Sequence, residues 1–152
     1  MPILKRWVAL FKRIGRPSAS GTAGPELAPQ IASSFASYTL SGTTPPTANA
    51  SGIHFAAASN LAGAFTSVAL VNDAIYDINF TVANRSSGTV RVIVYGSTTG
   101  HAGVTPSQNA NGVYYFRVAT NAGGTAINRI LMQATTANTT LDVTAISVKR
   151  IT

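Results

Sequence analysis

Arginine and tyrosine recur together on two strand-like runs, and that pairing is the chain's clearest opening for chemistry. Side chains along a strand point alternately to opposite faces. Arg91, Ile93 and Tyr95 therefore share the face opposite Val90, Val92 and Val94, while Tyr115 and Arg117 share the face opposite Tyr114, Phe116 and Val118. Guanidinium groups beside phenol rings suit glycan stacking with hydrogen bonding, or a protein interface, where both residue types are enriched. A mixed sheet surface with no ligand has the same composition. Arg91, Tyr95, Tyr115 and Arg117 are the candidate glycan or interface surface.

Catalysis has little to draw on. The acids are Glu26, Asp73, Asp77 and Asp142. Asp73 and Asp77 are near neighbours, but one precedes a strand and the other lies on its wet face, so the pair reads as solvated carboxylates rather than a general acid and base. His54 lies opposite Ile53 and Phe55 and reads as a surface histidine. It and His101 are far apart, and neither has a Ser, Cys or Asp at a recognised spacing. No P-loop, dinucleotide fingerprint or zinc pattern occurs. No catalytic residue, cofactor or metal is expected; calcium, which can use backbone carbonyls, is left open.

Composition points the same way. The 152 residues suffice for one domain with a real core, and only 10% are charged. Abundant Thr, Ser, Asn, Gly and Ala favour short strands and turns over helices. The chain lacks cysteine, which excludes disulfides and thiolate metal sites. Of the net charge of +7, Lys5, Arg6, Lys12, Arg13 and Arg16 supply +5, leaving +2 over everything that follows. A basic arm on a nearly neutral domain gives no support to specific nucleic-acid binding by the whole chain.

That arm reads as a helix over 2–14. Ile3, Leu4, Trp7, Leu10, Phe11 and Ile14 recur at helical spacing, with bases filling much of the remainder. Pro2 suits the first turn, and Gly15 and Pro17 end it. At about 20 Å it is too short to span a bilayer. It could pack on its own domain or on symmetry mates, dock into a larger assembly, or lie on an anionic membrane, the membrane being the least favoured. We take residues 1–16 as an anchor or assembly segment, 17–34 as a Gly/Ser/Pro-rich linker, and 35–152 as the folded domain.

The domain reads as about eight strands, near 35–40, 53–57, 64–71, 75–83, 89–95, 113–120, 127–134 and 140–151, separated by turn-rich segments. In the fourth, Tyr76, Ile78, Phe80 and Val82 alternate with polar or small residues, and Asn84 to Gly88 forms the turn to the next. Such amphipathic strands need a second sheet to cover them. In the last strand Leu141 and Val143 take one parity and Ile146 and Val148 the other, which a bulge near Thr144-Ala145 would reconcile. The fold class is an all-β antiparallel sandwich.

From Tyr76 to Ile151 the chain resembles the small jelly-roll domains, similar to carbohydrate-binding modules, that recur in tailed-phage virion proteins. The resemblance is carried by YDINFTV, SGTVRVIVYG, NGVYYFRVAT and LDVTAISVKRI. In the last of these, Asp142 and Ile146-Ser147-Val148-Lys149 match the family's Asp followed by a hydrophobic-Ser-Val-Lys run. The resemblance implies a jelly-roll sandwich and a virion or other surface-assembly protein, often oligomeric, with sugar binding a lesser implication. The domain holds no Trp, the usual platform for a pyranose ring, so tyrosine would have to substitute.

The sequence thus leads to a non-enzymatic structural protein of a phage-like virion: a decoration, spike or fibre component, anchored or oligomerised through its N-terminal helix. Its partners would be other virion proteins, copies of itself and a surface glycan, and its location the virion. A carbohydrate-binding host-adhesion module is the alternative, and a peripheral membrane protein a weaker one.

Overall fold

The computed structural model describes residues 23–26, 35, 37–68, 70–71, 73–96, 100–120 and 127–152. The helix expected over 2–14, with Ile3, Leu4, Trp7, Leu10, Phe11 and Ile14, lies outside them.

Eleven strands are formed: β1 (Ala23–Glu26), β2 (Thr39–Ser41), β3 (Thr47–Asn49), β4 (Gly52–Ala58), β5 (Gly63–Ser67), β6 (Ile75–Ser87), β7 (Val90–Gly96), β8 (Gly100–Val104), β9 (Gly112–Ala119), β10 (Ile127–Ala134) and β11 (Thr139–Ile151). They make two antiparallel sheets that pack as a jelly-roll sandwich. Sheet A runs β3-β4-β11-β6-β9, with β1 also on β11, and sheet B runs β2-β5-β10-β7-β8. Eight of the strands overlap expected ones, although of the strand expected over 35–40 only Thr39 and Leu40 belong to β2 and Phe35 is helical. The other three are β1, which falls within the stretch read as linker, and β3 and β8, which fall within segments read as turns.

Alternation builds the core. Tyr76, Ile78, Phe80 and Val82 of β6 are buried against Val90, Val92 and Val94 of β7 and Ile130 and Met132 of β10. The bulge in β11 is present: Val143 pairs with Val82 and Ala145 with Thr81, which leaves Thr144 as the extra residue. Leu141, Val143, Ile146 and Val148 consequently all point inward.

One expectation is corrected. The β6–β7 connection is not a turn at Asn84–Gly88 within one sheet. β6 continues to Ser87, and the chain then crosses from sheet A to sheet B. Asn84 takes the left-handed conformation, with φ 50°, and so redirects β6 without ending it. The crossing falls at Gly88, whose φ is 76° and where a Cβ would come within 2.4 Å of the Thr139 Cα. Only glycine fits there. The two strands therefore face each other across the core rather than lying side by side.

Phe116 has the inward parity but is only partly buried, because β9 is an edge strand of sheet A. Its ring centroid lies 6.1 Å from that of Phe80, which is fully buried. Phe80→Ala should therefore cost ~3–5 kcal/mol from lost transfer energy and the cavity left behind. Thr81→Ala, on the outer face, should cost under about 1 kcal/mol. Urea melts of the two variants check this, and equal losses would contradict the packing described.

Candidate functional site

Strand parity alone places Arg91, Tyr95, Tyr115 and Arg117 on outer faces, and the structure agrees. It does not bring them together. Arg91 and Tyr95 lie on β7 of sheet B, whereas Tyr115 and Arg117 lie on β9 of sheet A, so the sequence candidates divide between opposite sides of the sandwich.

The sheet B face is built in rows. Register places Phe65 of β5, Leu131 of β10, Ile93 of β7 and Val104 of β8 side by side. Ile93 is fully buried but is not part of the inter-sheet core, so this row forms an apolar floor on the outside of the sheet. Polar groups stand on either side of it. Toward one end Arg91 and Gln133 are cross-strand partners, and the guanidinium donates to Gln133 Oε1 from Nε at 3.2 Å and from Nη2 at 2.9 Å. Toward the other, Arg129 pairs with Tyr95, and its guanidinium carbon sits 4.7 Å over the Phe65 ring. His101, across β8, meets Tyr95 edge-on with ring centroids 5.8 Å apart. Phe65, Tyr95, His101, Arg129, Leu131 and Gln133 line an open hollow of about 410 Å³, and Arg91 lies outside that lining, bound to Gln133.

The sheet A face is different in kind. Arg117 donates from Nε and Nη2 to the two carboxylate oxygens of Asp77, each at 2.8 Å. That hydrogen bonding raises the Arg117 pKa, so its charge is fixed and already matched. Tyr115 stands beside the pair, 72% exposed, over a hollow of about 330 Å³. Asp77 is thus committed to an arginine, while Asp73 sits apart with φ 52° in the turn before β6.

Sequence reasoning missed a third cluster. His54 Nδ1 lies 2.8 Å from Asp142 Oδ1, whose Oδ2 accepts from Asn84 at 2.7 Å. On the other side of the ring, His54 Nε2 is 3.0 Å from Ser51 Oγ and 3.1 Å from Asn49 Oδ1. The expected lone surface histidine therefore has both an Asp and a Ser partner. Asp142 is 88 residues away in sequence, and only the antiparallel pairing of β4 with β11 unites them. The order Asp-His-Ser is that of a nucleophilic triad, but the surroundings are those of a brace. Ser51 donates to Asn49 Oδ1 through both its N–H, at 2.8 Å, and its hydroxyl, at 2.7 Å, which closes the β3–β4 turn. Ser51 lines neither of the two hollows described above. The cluster fastens the β3–β4 turn and β6 to β11.

No family model and no curated protein matches the chain. Among solved structures it is similar to the apo form of BiXyn10A CBM1, with a TM-score of 0.59 and 12% identity over 84% of this chain and 98% of that one. It is also similar to the second N-terminal cellulose-binding domain of Cellulomonas fimi β-1,4-glucanase C, with a TM-score of 0.56 and 16% identity over 89% and 98%. At such identities the likeness concerns the fold, which is that of a carbohydrate-binding-module-like sandwich. The family resemblance is supported to that extent. Neither structure named is a virion protein.

His101 offers a direct check on the sheet B geometry. Partial burial, and then the positive charge of Arg91, hold its pKa below the usual histidine value. An NMR titration should place the His101 midpoint below about 6.5. Removing the charge with Arg91→Gln should move that midpoint upward, since one of the two influences favouring the neutral ring is gone. A midpoint unmoved by the substitution would separate the two side chains.

Proposed function

We propose that this chain is a non-catalytic carbohydrate-binding module whose ligand lies along the outer face of sheet B. The observation that carries this reading is the apolar floor flanked by hydrogen-bonding groups. A sugar ring presents an apolar face and a rim of hydroxyls. It therefore wants an aromatic or aliphatic platform with planar polar groups beside it. Tyr95, Leu131 and the edge of Phe65 supply the platform, and Gln133, Arg129 and Ser41 supply polar contacts. The similarity in fold to two carbohydrate-binding domains supports the same reading. On the sheet A face Arg117 is bound to its own carboxylate, which leaves that guanidinium less to offer a ligand.

Affinity electrophoresis of the full-length protein through gels containing a panel of soluble polysaccharides tests this. At least one polysaccharide should retard the protein. Tyr95→Ala should weaken that retention by about tenfold, or roughly 1.4 kcal/mol, while Tyr115→Ala should leave it unchanged. The opposite pattern would transfer the site to sheet A.

The basic amphipathic segment suggests how such a module is held in place. Its stripe is read as an anchor to other chains, a virion assembly among them. Trp7→Ala combined with Phe11→Ala should then abolish association with partner chains and leave glycan retention intact. Strong, salt-sensitive binding of the protein to anionic vesicles, with no partner association, would favour the membrane instead.

A further inference from the structure

We propose that the saccharide taken by the sheet B hollow is an anionic one, whose acidic groups are read by Arg129 and Arg91. This rests on the reading of that face as a sugar site and narrows it to a chemical class.

Positive charge on this face is unmatched by any carboxylate of sheet B. Two guanidiniums, Arg91 and Arg129, share this face, with the His101 ring, whose neutral form is favoured, beside them. All four acids of the chain belong elsewhere: Glu26, Asp77 and Asp142 to β1, β6 and β11 of sheet A, and Asp73 to the turn before β6. Arg91 is satisfied by the amide oxygen of Gln133, which accepts hydrogen bonds without cancelling charge. Arg129 is more exacting. Its guanidinium rests on the Phe65 ring, and its Nε is buried with no hydrogen-bond partner among the described residues. A buried charged donor left without a partner is costly, and a carboxylate or sulfate bound at the guanidinium in the hollow would offset that cost.

Sheet A shows what such a group does when an anion is at hand. Arg117 grips Asp77 through two parallel hydrogen bonds of 2.8 Å. The guanidinium fork matches carboxylate geometry in a way no ammonium can. Sheet B carries two guanidiniums and no internal carboxylate: Arg91 has Nε and Nη2 on the neutral Gln133 amide oxygen, and Arg129 has no partner for its Nε among the described residues. Arg91 lies opposite Gln133 and Arg129 opposite Tyr95, four positions along β7. That separates them by roughly 13 Å along the strand. An extended chain with charge on more than one sugar would meet both.

Isothermal titration calorimetry on the full-length protein tests this with trigalacturonate, its fully methyl-esterified form, cellotriose, a κ-carrageenan oligosaccharide and single-stranded oligothymidylate. Trigalacturonate should bind at least about tenfold more tightly than its neutral ester, and added salt should shrink the advantage. Arg129→Gln and Arg91→Gln should each erase the preference, and Arg117→Gln should keep it. Arg129→Lys, which retains the charge but not the fork, should show a reduced preference; it also serves if the glutamine variant at Arg129 fails to fold, as judged by its melt. Carrageenan binding with the same arginine dependence would support the proposal with sulfate as the acidic group. Equal binding of trigalacturonate and its ester, or a preference for cellotriose, would overturn it while leaving the sugar site standing. Oligothymidylate binding tighter than that of every saccharide would overturn it in favour of a nucleic acid. Silence from every probe, charged and neutral, would remove both the anionic proposal and the site beneath it.

Discussion

Everything in sheet A depends on one strand having its apolar side chains face inward along its whole length. β11 spans thirteen residues and pairs with β6 on one edge, and with β4 and then β1 on the other. An uninterrupted strand would turn either Leu141 and Val143 or Ile146 and Val148 outward. Burying a branched aliphatic side chain is worth about 1.5–3 kcal/mol, so losing two of them would consume much of a small domain's stability. The single extra residue at Thr144 removes that conflict. It also sets the register of β11 against β6 that carries Lys149 opposite Asp77, while the pairing with β4 carries Asp142 beside His54.

Parity along a strand was readable without coordinates, and it located the core. Phe80, Val92 and Leu141 declare their faces by alternation with polar neighbours, and the Thr144 bulge is visible as a break in that alternation. Parity cannot say which sheet a strand joins. That is decided at connections such as Gly88, where the chain must choose between a turn within one sheet and a crossing to the other. Arg91 and Tyr115 therefore looked like parts of one surface although the sandwich core divides them. Short strands escaped for another reason. β8, with two glycines in five residues, and β3, with three residues, have little intrinsic preference and are held by their neighbours' exposed edges. The His54–Asp142 contact was invisible because no local signal encodes a separation of 88 residues.

The two outer faces show how similar residue types can serve different ends. On sheet A, opposite charges on adjacent strands cancel, and the pair Asp77–Arg117 stiffens an edge. On sheet B the same guanidinium chemistry is surrounded by an amide, an aromatic ring and an aliphatic floor. A cation in that setting is held by contacts that orient it without neutralising it. On the proposed reading the face is ordered before any ligand arrives, so little conformational freedom would be left to lose on binding.

The position of β11 also bears on how the chain is made. It follows the other described strands in sequence, yet it lies within sheet A between β4 and β6. While a ribosome is still adding residues 139–151, β6 can pair with β9, but the other edge of β6 and the inner edge of β4 have no strand between them. The nascent sandwich therefore carries open edges until synthesis of this segment is complete, and closure waits on pairings between residues far apart in the chain, a slow class of event. Open edges of this kind invite pairing with other chains. Newly made protein is accordingly most exposed to aggregation in the interval just before β11 is inserted.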